Sequence, residues 1–196
     1  MTEHRRHTSD NLPAWVDRFD DAVDEAWGRA LRGRPVADWV FYAASDLGDF
    51  SLIWLLLAAA QGVASDEEAD AAIRFAILLA GESLLVNQGI KRLFHRPRPE
   101  PTDPRPHDLR KPLTSSFPSG HASAAMAAAH LLSRRHPKAR PLYYALGAIV
   151  ATSRIHVQIH HASDVVAGAA IGAGYGRLVD RLWPAGTWPG RRGPRR

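Results

Sequence analysis

Three short segments combine residues that bind anions with residues that suit nucleophilic and acid–base chemistry. The first, residues 91–99, reads KRLFHRPRP and places lysine and arginine at the end of an apolar stretch. The second, residues 118–121, reads PSGH at the start of the next apolar stretch. The third, residues 153–164, has the pattern S-R-x5-H-x3-D between two further apolar stretches. Histidine and aspartate suit covalent catalysis and proton transfer, and the cations suit a phosphoryl group.

Each segment also has a structural explanation when it is taken alone. Lys91 and Arg98 are ordinary charges for a helix end, and residues 118–121 suit a helix N-cap. His160 and Asp164 are four residues apart, and on a helix they would share a face, where a structural hydrogen bond is the usual meaning of such a pair. The functional interpretation therefore depends on whether the fold brings the three segments together.

The three segments all lie at ends of apolar helical stretches. In a bundle of consecutive antiparallel helices, the first and third helices end on the same side. The second and fourth helices begin on that side. This arrangement predicts a cluster that contains Lys91, Arg98, His121, Arg154, His160 and Asp164. Such a cluster of cations repels itself unless an anion lies within it, and a phosphoryl group has the required charge. Backbone N–H groups at Ser119 and Gly120, at a helix start, would add donors.

The patterns K-x6-R-P, P-S-G-H and S-R-x5-H-x3-D resemble the signatures of the type 2 phosphatidic acid phosphatase (PAP2) superfamily. All of their fixed positions are present, in order, between residues 91 and 164. The resemblance implies a phosphatase that forms a phosphohistidine and needs neither a metal nor another cofactor. It says nothing about residues 1–90, which only their composition describes.

The resemblance implies a role for each matched residue. His160 is expected to attack phosphorus, and Asp164 to accept a hydrogen bond from the other ring nitrogen. His121 is expected to protonate the leaving group and then to activate water. The residues expected to hold the phosphoryl oxygens are Lys91, Arg98, Ser119, Gly120 and Arg154.

Apolar helices must position these residues, and the expected fold is all-α. A mean hydropathy of -0.24 and a net charge of +5 describe an ordinary basic soluble protein. The charge, however, is concentrated in the termini and in the proline-rich loop 96–118. Small residues repeat at three- and four-residue spacing, as is typical of helices packed closely in lipid: Ala122, Ala125, Ala129, Gly168, Gly172 and Gly176. We predict an antiparallel transmembrane bundle of five or six helices, with a soluble all-α domain as the alternative.

Three regions are predicted along the chain. Residues 1–34 comprise a polar N-terminus and an amphipathic helix, residues 35–183 the transmembrane phosphatase domain, and residues 184–196 a basic tail. The predicted apolar stripe of the helix is Trp15, Phe19, Val23, Trp27 and Leu31, with acidic residues, Asp20 among them, between these positions. The helix is expected to pack against the fold, to lie in the membrane interface, or both.

Composition excludes several other classes of site. The chain of 196 residues has no cysteine, which excludes disulfides, thiolate zinc sites and a cysteine nucleophile. Several histidines fall near the site without the partners of a metal centre, so no metal is predicted: His95, His107, His156 and His161. The arginine-rich tail is interpreted as a topology signal, and no nucleic-acid partner is expected.

The basic loop 134–140 and the C-terminal arginines lie opposite the predicted site. By the positive-inside rule that end is cytoplasmic, so the site is predicted to face the periplasm or the cell exterior of a multi-pass membrane protein. The expected partners are membrane lipids and a lipid phosphate substrate. The candidates are a polyprenyl phosphate or diphosphate (undecaprenyl diphosphate among them), which we favour, phosphatidate and phosphatidylglycerol phosphate. The sequence leaves the oligomeric state open.

Two other functions fit parts of the pattern. A vanadate-dependent haloperoxidase resembles the superfamily in the same motif residues, although the apolar helices speak against it. A non-catalytic membrane protein that binds phospholipid would need a degenerate site. The intact His121, His160 and Asp164 argue against that alternative.

Overall fold

The computed structural model describes residues 13–102, 109–110 and 113–184 of the chain. Within these ranges the regular structure is entirely helical, which confirms the all-α prediction. Its α-helices, in chain order, are α1 (Ala14–Leu31), α2 (Pro35–Gly48), α3 (Leu52–Gly62), α4 (Asp66–Leu84), α5 (Gly120–Arg135), α6 (Arg140–His156) and α7 (Ala162–Leu182). The predicted polar start of the chain, most of the basic tail, and Arg105, His107 and Lys111 of the loop lie outside the described residues.

A break at Asp49–Ser51 separates α2 from α3. Phe50 and Ser51 have φ angles of 53° and 60°, in the left-handed region, which costs about 1–2 kcal/mol for each residue with a side chain. Pro35–Gly62 as a whole is, within the described ranges, the one helical stretch long and apolar enough to cross a membrane. The predicted count of five or six helices therefore depends on whether α2 and α3 are counted as one segment.

Helix α5 lies at the centre of the bundle and packs mainly against α6 and α7. Its alanine-rich sequence is buried on nearly every side, and Ala122, Ala125 and Ala129 are fully buried. A helix with apolar or small residues all round is typical of such a central position. Because α5 begins at Gly120, its central place carries the PSGH segment into the middle of one end of the bundle.

Close contact between α5 and α7 requires glycine. A Cβ atom on Gly168 or Gly172 would overlap the backbone carbonyl oxygen of Ser119 or Ser123. The small-residue spacing in α7 was predicted to allow such close packing, and the structure confirms it. This contact brings the start of α7 next to the start of α5.

Helix α1 is amphipathic as predicted, but its buried stripe differs from the predicted one. Trp15 and Phe19 are 63% and 41% exposed, whereas Val16 and Asp20 are 8% and 4% exposed. Residues spaced every four positions drift around a helix of 3.6 residues per turn, so the predicted stripe winds away from the core. Asp20, expected on the solvent side, is buried because it pairs with a buried arginine from the loop.

Candidate active site

The site lies at the end of the bundle where α4 and α6 finish and where α5 and α7 begin. The backbone N–H of Ser119 donates to the carbonyl oxygen of Asp164 at 3.0 Å, which joins the PSGH segment directly to the His–Asp segment. The structure therefore confirms the antiparallel arrangement inferred from the positions of the motifs. Side chains from α2 and the loop after α4 complete the surroundings.

His160 lies in the turn between α6 and α7, one residue before the N-cap of α7. It is therefore not on one helix with Asp164, as their spacing suggested, although the two side chains still meet. Its backbone N–H donates to the carbonyl oxygen of Arg154 at 3.1 Å. The side chain is nearly fully buried. Burial lowers the pKa of His160 to about 3, and the positive charges of Arg98 and Arg154 add to this against the opposing effect of Asp164.

The contacts of His160 define its tautomer. Nη1 of Arg98 lies 3.1 Å from Nε2, and a guanidinium can only donate, so Nε2 is the unprotonated nitrogen. In the neutral ring the hydrogen is then on Nδ1, which lies 3.6 Å from Oδ2 of Asp164. Nδ1 also lies 3.4 Å from Oγ of Ser116, whose hydroxyl donates to the same Oδ2 at 2.5 Å. Ser116 thus bridges the imidazole and the carboxylate.

Asp164 is fully buried, and each of its oxygens has defined partners. Oδ2 accepts from Ser116 and from the backbone N–H of His161, the latter at 2.9 Å. Oδ1 accepts from Nη1 of Arg96 at 2.6 Å. The carboxylate therefore caps the first turn of α7 and presents one oxygen towards His160.

Ser119 is the N-cap of α5 and accepts the backbone N–H of Ala122 at 3.4 Å. Gly120 begins the helix beside Asn87, where a Cβ would lie 2.9 Å from Oδ1 of Asn87. The first backbone N–H groups of α5 lie at the same end of the bundle as His160. The helix start predicted from the PSGH pattern is therefore present, and anion binding there stays a prediction. The backbone N–H of Ser119, predicted as a donor to the anion, is instead bonded to the carbonyl oxygen of Asp164.

His121 has a carboxylate partner of its own. Its Nε2 lies 3.2 Å from Oδ1 of Asp49 and 3.3 Å from the carbonyl oxygen of Ser45. Asp49 stands at the C-cap of α2, directly before the left-handed residues that separate α2 from α3. The break in the helix therefore occurs at the position that brings this carboxylate to the imidazole.

The predicted cations Lys91 and Arg154 are both buried at this end of the bundle, and the charges of Arg98, Arg154 and Asp164 act on Lys91. Lys91 lies on a 3₁₀ turn (Ile90–Leu93), which follows a π-helical turn (Leu85–Gly89) at the end of α4. Arg154, in the last turn of α6, donates to Oγ of Ser45 on α2. The ends of α2, α4 and α6 therefore meet at this cluster of positive charge.

Sequence reasoning missed five residues that contact the predicted set. They are Asp20, Ser45, Asp49, Arg96 and Ser116. From the sequence, Arg96 is one of the charges of the proline-rich loop, and Asp20 is one of the acidic residues between the apolar positions of the first helix. The two serines have no charge or spacing that marks them. The segment 46–49, with its two aspartates, indicates only a turn and a helix start when it is interpreted from the sequence. The residue types at Phe50 and Ser51 do not predict the left-handed backbone that follows Asp49.

Two of the additional histidines near the site, His156 and His161, have structural contacts. Nδ1 of His156 accepts from the indole of Trp27 at 3.1 Å, and its Nε2 lies 2.9 Å from Asp38, so it ties α1 and α2 to α6. His161 is the N-cap of α7 and has its Nε2 3.3 Å from the carbonyl oxygen of Pro97. His95 is exposed. Among the residues that the structure describes, no three His, Asp or Glu side chains are grouped to hold a metal ion.

Comparison with known proteins agrees with this geometry. The sequence model of the PAP2 superfamily matches residues 71–188, and the chain belongs to this superfamily. Two mycobacterial relatives are both named decaprenylphosphoryl-5-phosphoribose phosphatase. The protein from Mycobacterium tuberculosis is 34% identical over 84% of this chain and 91% of its own length. The one from Mycolicibacterium smegmatis is 35% identical over 77% and 82%.

A solved structure shares the fold. It is a transmembrane PAP2-type phosphatidylglycerolphosphate phosphatase from Bacillus subtilis, with a TM-score of 0.65, 23% identity and 87% coverage of each chain. The predicted all-α bundle fold is thereby confirmed. Together with the mycobacterial phosphatases, the family match also confirms the predicted phosphatase class. That result favours a phosphatase over the haloperoxidase and the non-catalytic alternatives.

Proposed function

We propose that this protein is a multi-pass membrane phosphatase that removes the phosphoryl group of a lipid phosphate through a phosphohistidine. The observation that carries the proposal is the contact of His160 with Arg98 on one ring nitrogen and with the Ser116–Asp164 pair at the other. A buried neutral imidazole, held in one tautomer and surrounded by cations, suits attack on an anionic phosphorus.

In the first step, Nε2 of His160 attacks phosphorus and the bond from phosphorus to the leaving oxygen breaks. His121 donates a proton to that oxygen, so a neutral alcohol or a protonated phosphate departs. Asp164 stabilises the positive charge that develops on the imidazole ring, as in other His–Asp pairs. The product of this step is a phosphohistidine.

In the second step, water attacks the phosphohistidine. The now neutral His121 accepts a proton from the water, the bond from nitrogen to phosphorus breaks, and inorganic phosphate leaves. The same residue thus serves as acid and then as base, which microscopic reversibility favours for paired steps of this kind. Asp49, beside His121, stabilises the protonated form from which the first step starts and to which the second step returns.

The phosphoryl oxygens are held by the predicted anion-binding residues. Lys91 supplies a point charge, and Arg98 and Arg154 supply forks of donors. At the start of α5, the hydroxyl of Ser119 and the backbone N–H groups from Gly120 onwards are the donors. The backbone N–H of Ser119 is already bonded to the carbonyl oxygen of Asp164. A phosphoryl group in position for attack takes the place of His160 as the acceptor for Arg98.

A lipid substrate fits a site at one end of a helical bundle in a membrane, since the tail can remain among lipids while the head reaches the cations. The apolar stretch Pro35–Gly62 and the small-residue packing of α5 and α7 support membrane insertion of the bundle. Some polar side chains of the other helices are buried inside the bundle, Glu82 of α4 and Ser123 of α5 among them, as intramembrane polar groups are. Because the mycobacterial relatives are named for a decaprenylphosphoryl-linked phosphate, we favour a polyprenyl-linked phosphate as substrate.

Release of inorganic phosphate from purified protein in detergent tests the proposal. The panel contains a polyprenyl phosphate, a polyprenyl diphosphate, phosphatidate and phosphatidylglycerol phosphate. We expect hydrolysis by the wild type and a loss of roughly 10⁴-fold or more in kcat for His160→Ala. His95→Ala, a change of an exposed histidine nearby, is the matched control and should retain activity. Full activity of His160→Ala would overturn the mechanism.

A further inference from the structure

A buried ionic network connects the predicted site to α1, which lies outside the part of the chain matched by the family. Its members are Asp20 of α1, Arg96 of the loop after α4, and Asp164 of α7. Nη2 of Arg96 lies 2.6 Å from Oδ2 of Asp20, and its Nη1 lies 2.6 Å from Oδ1 of Asp164. The three side chains are at most 6% exposed. Arg96 occupies a variable position of the K-x6-R-P pattern.

Ser163 closes the network at the start of α7. Its backbone N–H donates to Oδ1 of Asp20 at 2.7 Å, and its hydroxyl donates to Oδ2 at 2.8 Å. Nη1 of Arg96 also contacts the Ser163 oxygen at 2.7 Å. Asp20 therefore satisfies a backbone N–H in the first turn of α7 from 143 residues away in sequence.

The geometry of Asp164 gives this network a consequence for the site. The two oxygens of a carboxylate move together, so the contact of Oδ1 with Arg96 determines where Oδ2 points. Oδ2 is the oxygen that faces His160 and Ser116. A buried carboxylate without its guanidinium partner would also be an uncompensated charge and would seek other contacts.

We propose that Arg96 and Asp20 are positioning residues of the reaction, and that α1 is thereby part of the catalytic apparatus. Arg96 holds Asp164 in the orientation that stabilises the His160 imidazolium, and Asp20 holds Arg96. This inference rests on the proposed function, in which His160 is the nucleophile. Both residues act through Asp164 and contact no reacting atom.

The test uses the full-length protein in detergent, with dioctanoyl phosphatidate and p-nitrophenyl phosphate as substrates. For Arg96→Ala we expect kcat to fall about 10²-fold with little change in KM, as for a small misplacement of a catalytic group. For Asp20→Asn, which leaves Arg96 in place, we expect a loss of about 10-fold. The matched controls are Asp21→Asn and Arg29→Gln, exposed charges of the same helix, which should retain the wild-type kcat.

Chemical rescue separates positioning from folding. Methylguanidinium added to Arg96→Ala should restore part of kcat, whereas it should not restore His160→Ala. Arg96→Lys, which keeps the charge but loses the fork, should fold with a near-normal melting temperature and retain an intermediate kcat.

The inference is overturned if Arg96→Ala and Asp20→Asn retain wild-type kcat, or if folded Arg96→Ala gains nothing from methylguanidinium. An inactive wild type would overturn the proposed function and this inference together. If Arg96→Ala and Asp20→Asn retain kcat while His160→Ala is inactive, this inference alone is overturned.

Discussion

The guanidinium of Arg98 donates to Nε2 of His160 at 3.1 Å, so a permanent cation sits on the ring nitrogen proposed as the nucleophile. This contact keeps the attacking nitrogen unprotonated, because a second positive charge there would be repelled. It also places a phosphate-binding donor where a phosphoryl group must arrive for attack. In the proposed mechanism, Arg98 therefore both keeps the nucleophile unprotonated and binds the substrate.

The pH profile of activity should depend on Arg98. Because the pKa of His160 is lowered to about 3, acidification from pH 7 to pH 5 should not protonate the nucleophile in the wild type. Arg98→Gln removes a positive charge, which raises the pKa of His160, so the acid limb of kcat/KM should move to higher pH. The phosphate group of the substrate ionises near pH 6 with both enzymes. A difference between the two pH profiles therefore comes from a group of the protein. Superimposable acid limbs would contradict this prediction.

Asp49 should matter most for substrates with a poor leaving group. If the carboxylate stabilises protonated His121, Asp49→Asn weakens the general acid and should lower kcat up to about 10²-fold for an alkyl phosphate. With p-nitrophenyl phosphate, whose product leaves without a proton, the loss should be small. Asp46→Asn, at an exposed position of the same helix, is the control. Equal losses with both substrates would indicate that Asp49 has only a structural role.

Much of the site could be predicted because its residues lie at helix ends. Apolar stretches of the chain mark the helices, and their alternation places Lys91, His121, Arg154 and Asp164 at one end. The burial of Asp20 could not be predicted, since its partner Arg96 is 76 residues away and depends on how α1 docks. Asp49 was missed for a similar reason, because a left-handed pair of ordinary residues leaves no signal in composition.

The close packing of α5 and α7 predicts opposite outcomes for two glycines of α7. Gly172→Ala places a methyl group against the backbone of Ser123 and should destabilise the fold by about 1–3 kcal/mol. A Cβ atom on Gly174 would have no neighbour within 4 Å, so Gly174→Ala should be neutral or stabilising by up to about 1 kcal/mol. Thermal unfolding in detergent measures both variants. A melting temperature for Gly172→Ala at or above that of Gly174→Ala would contradict the helix contact.

The orientation in the membrane can be tested by labelling, because the chain has no cysteine of its own. Thr102 is exposed at the end of the bundle that holds the site, where its backbone N–H contacts Gln158, and Lys138 is exposed in the basic loop at the other end. If the basic loop is cytoplasmic, a membrane-impermeant maleimide should label Thr102→Cys in intact cells. It should label Lys138→Cys only after permeabilisation. The reverse pattern would place the site on the cytoplasmic side, and labelling of both variants in intact cells would contradict a bundle that spans the membrane.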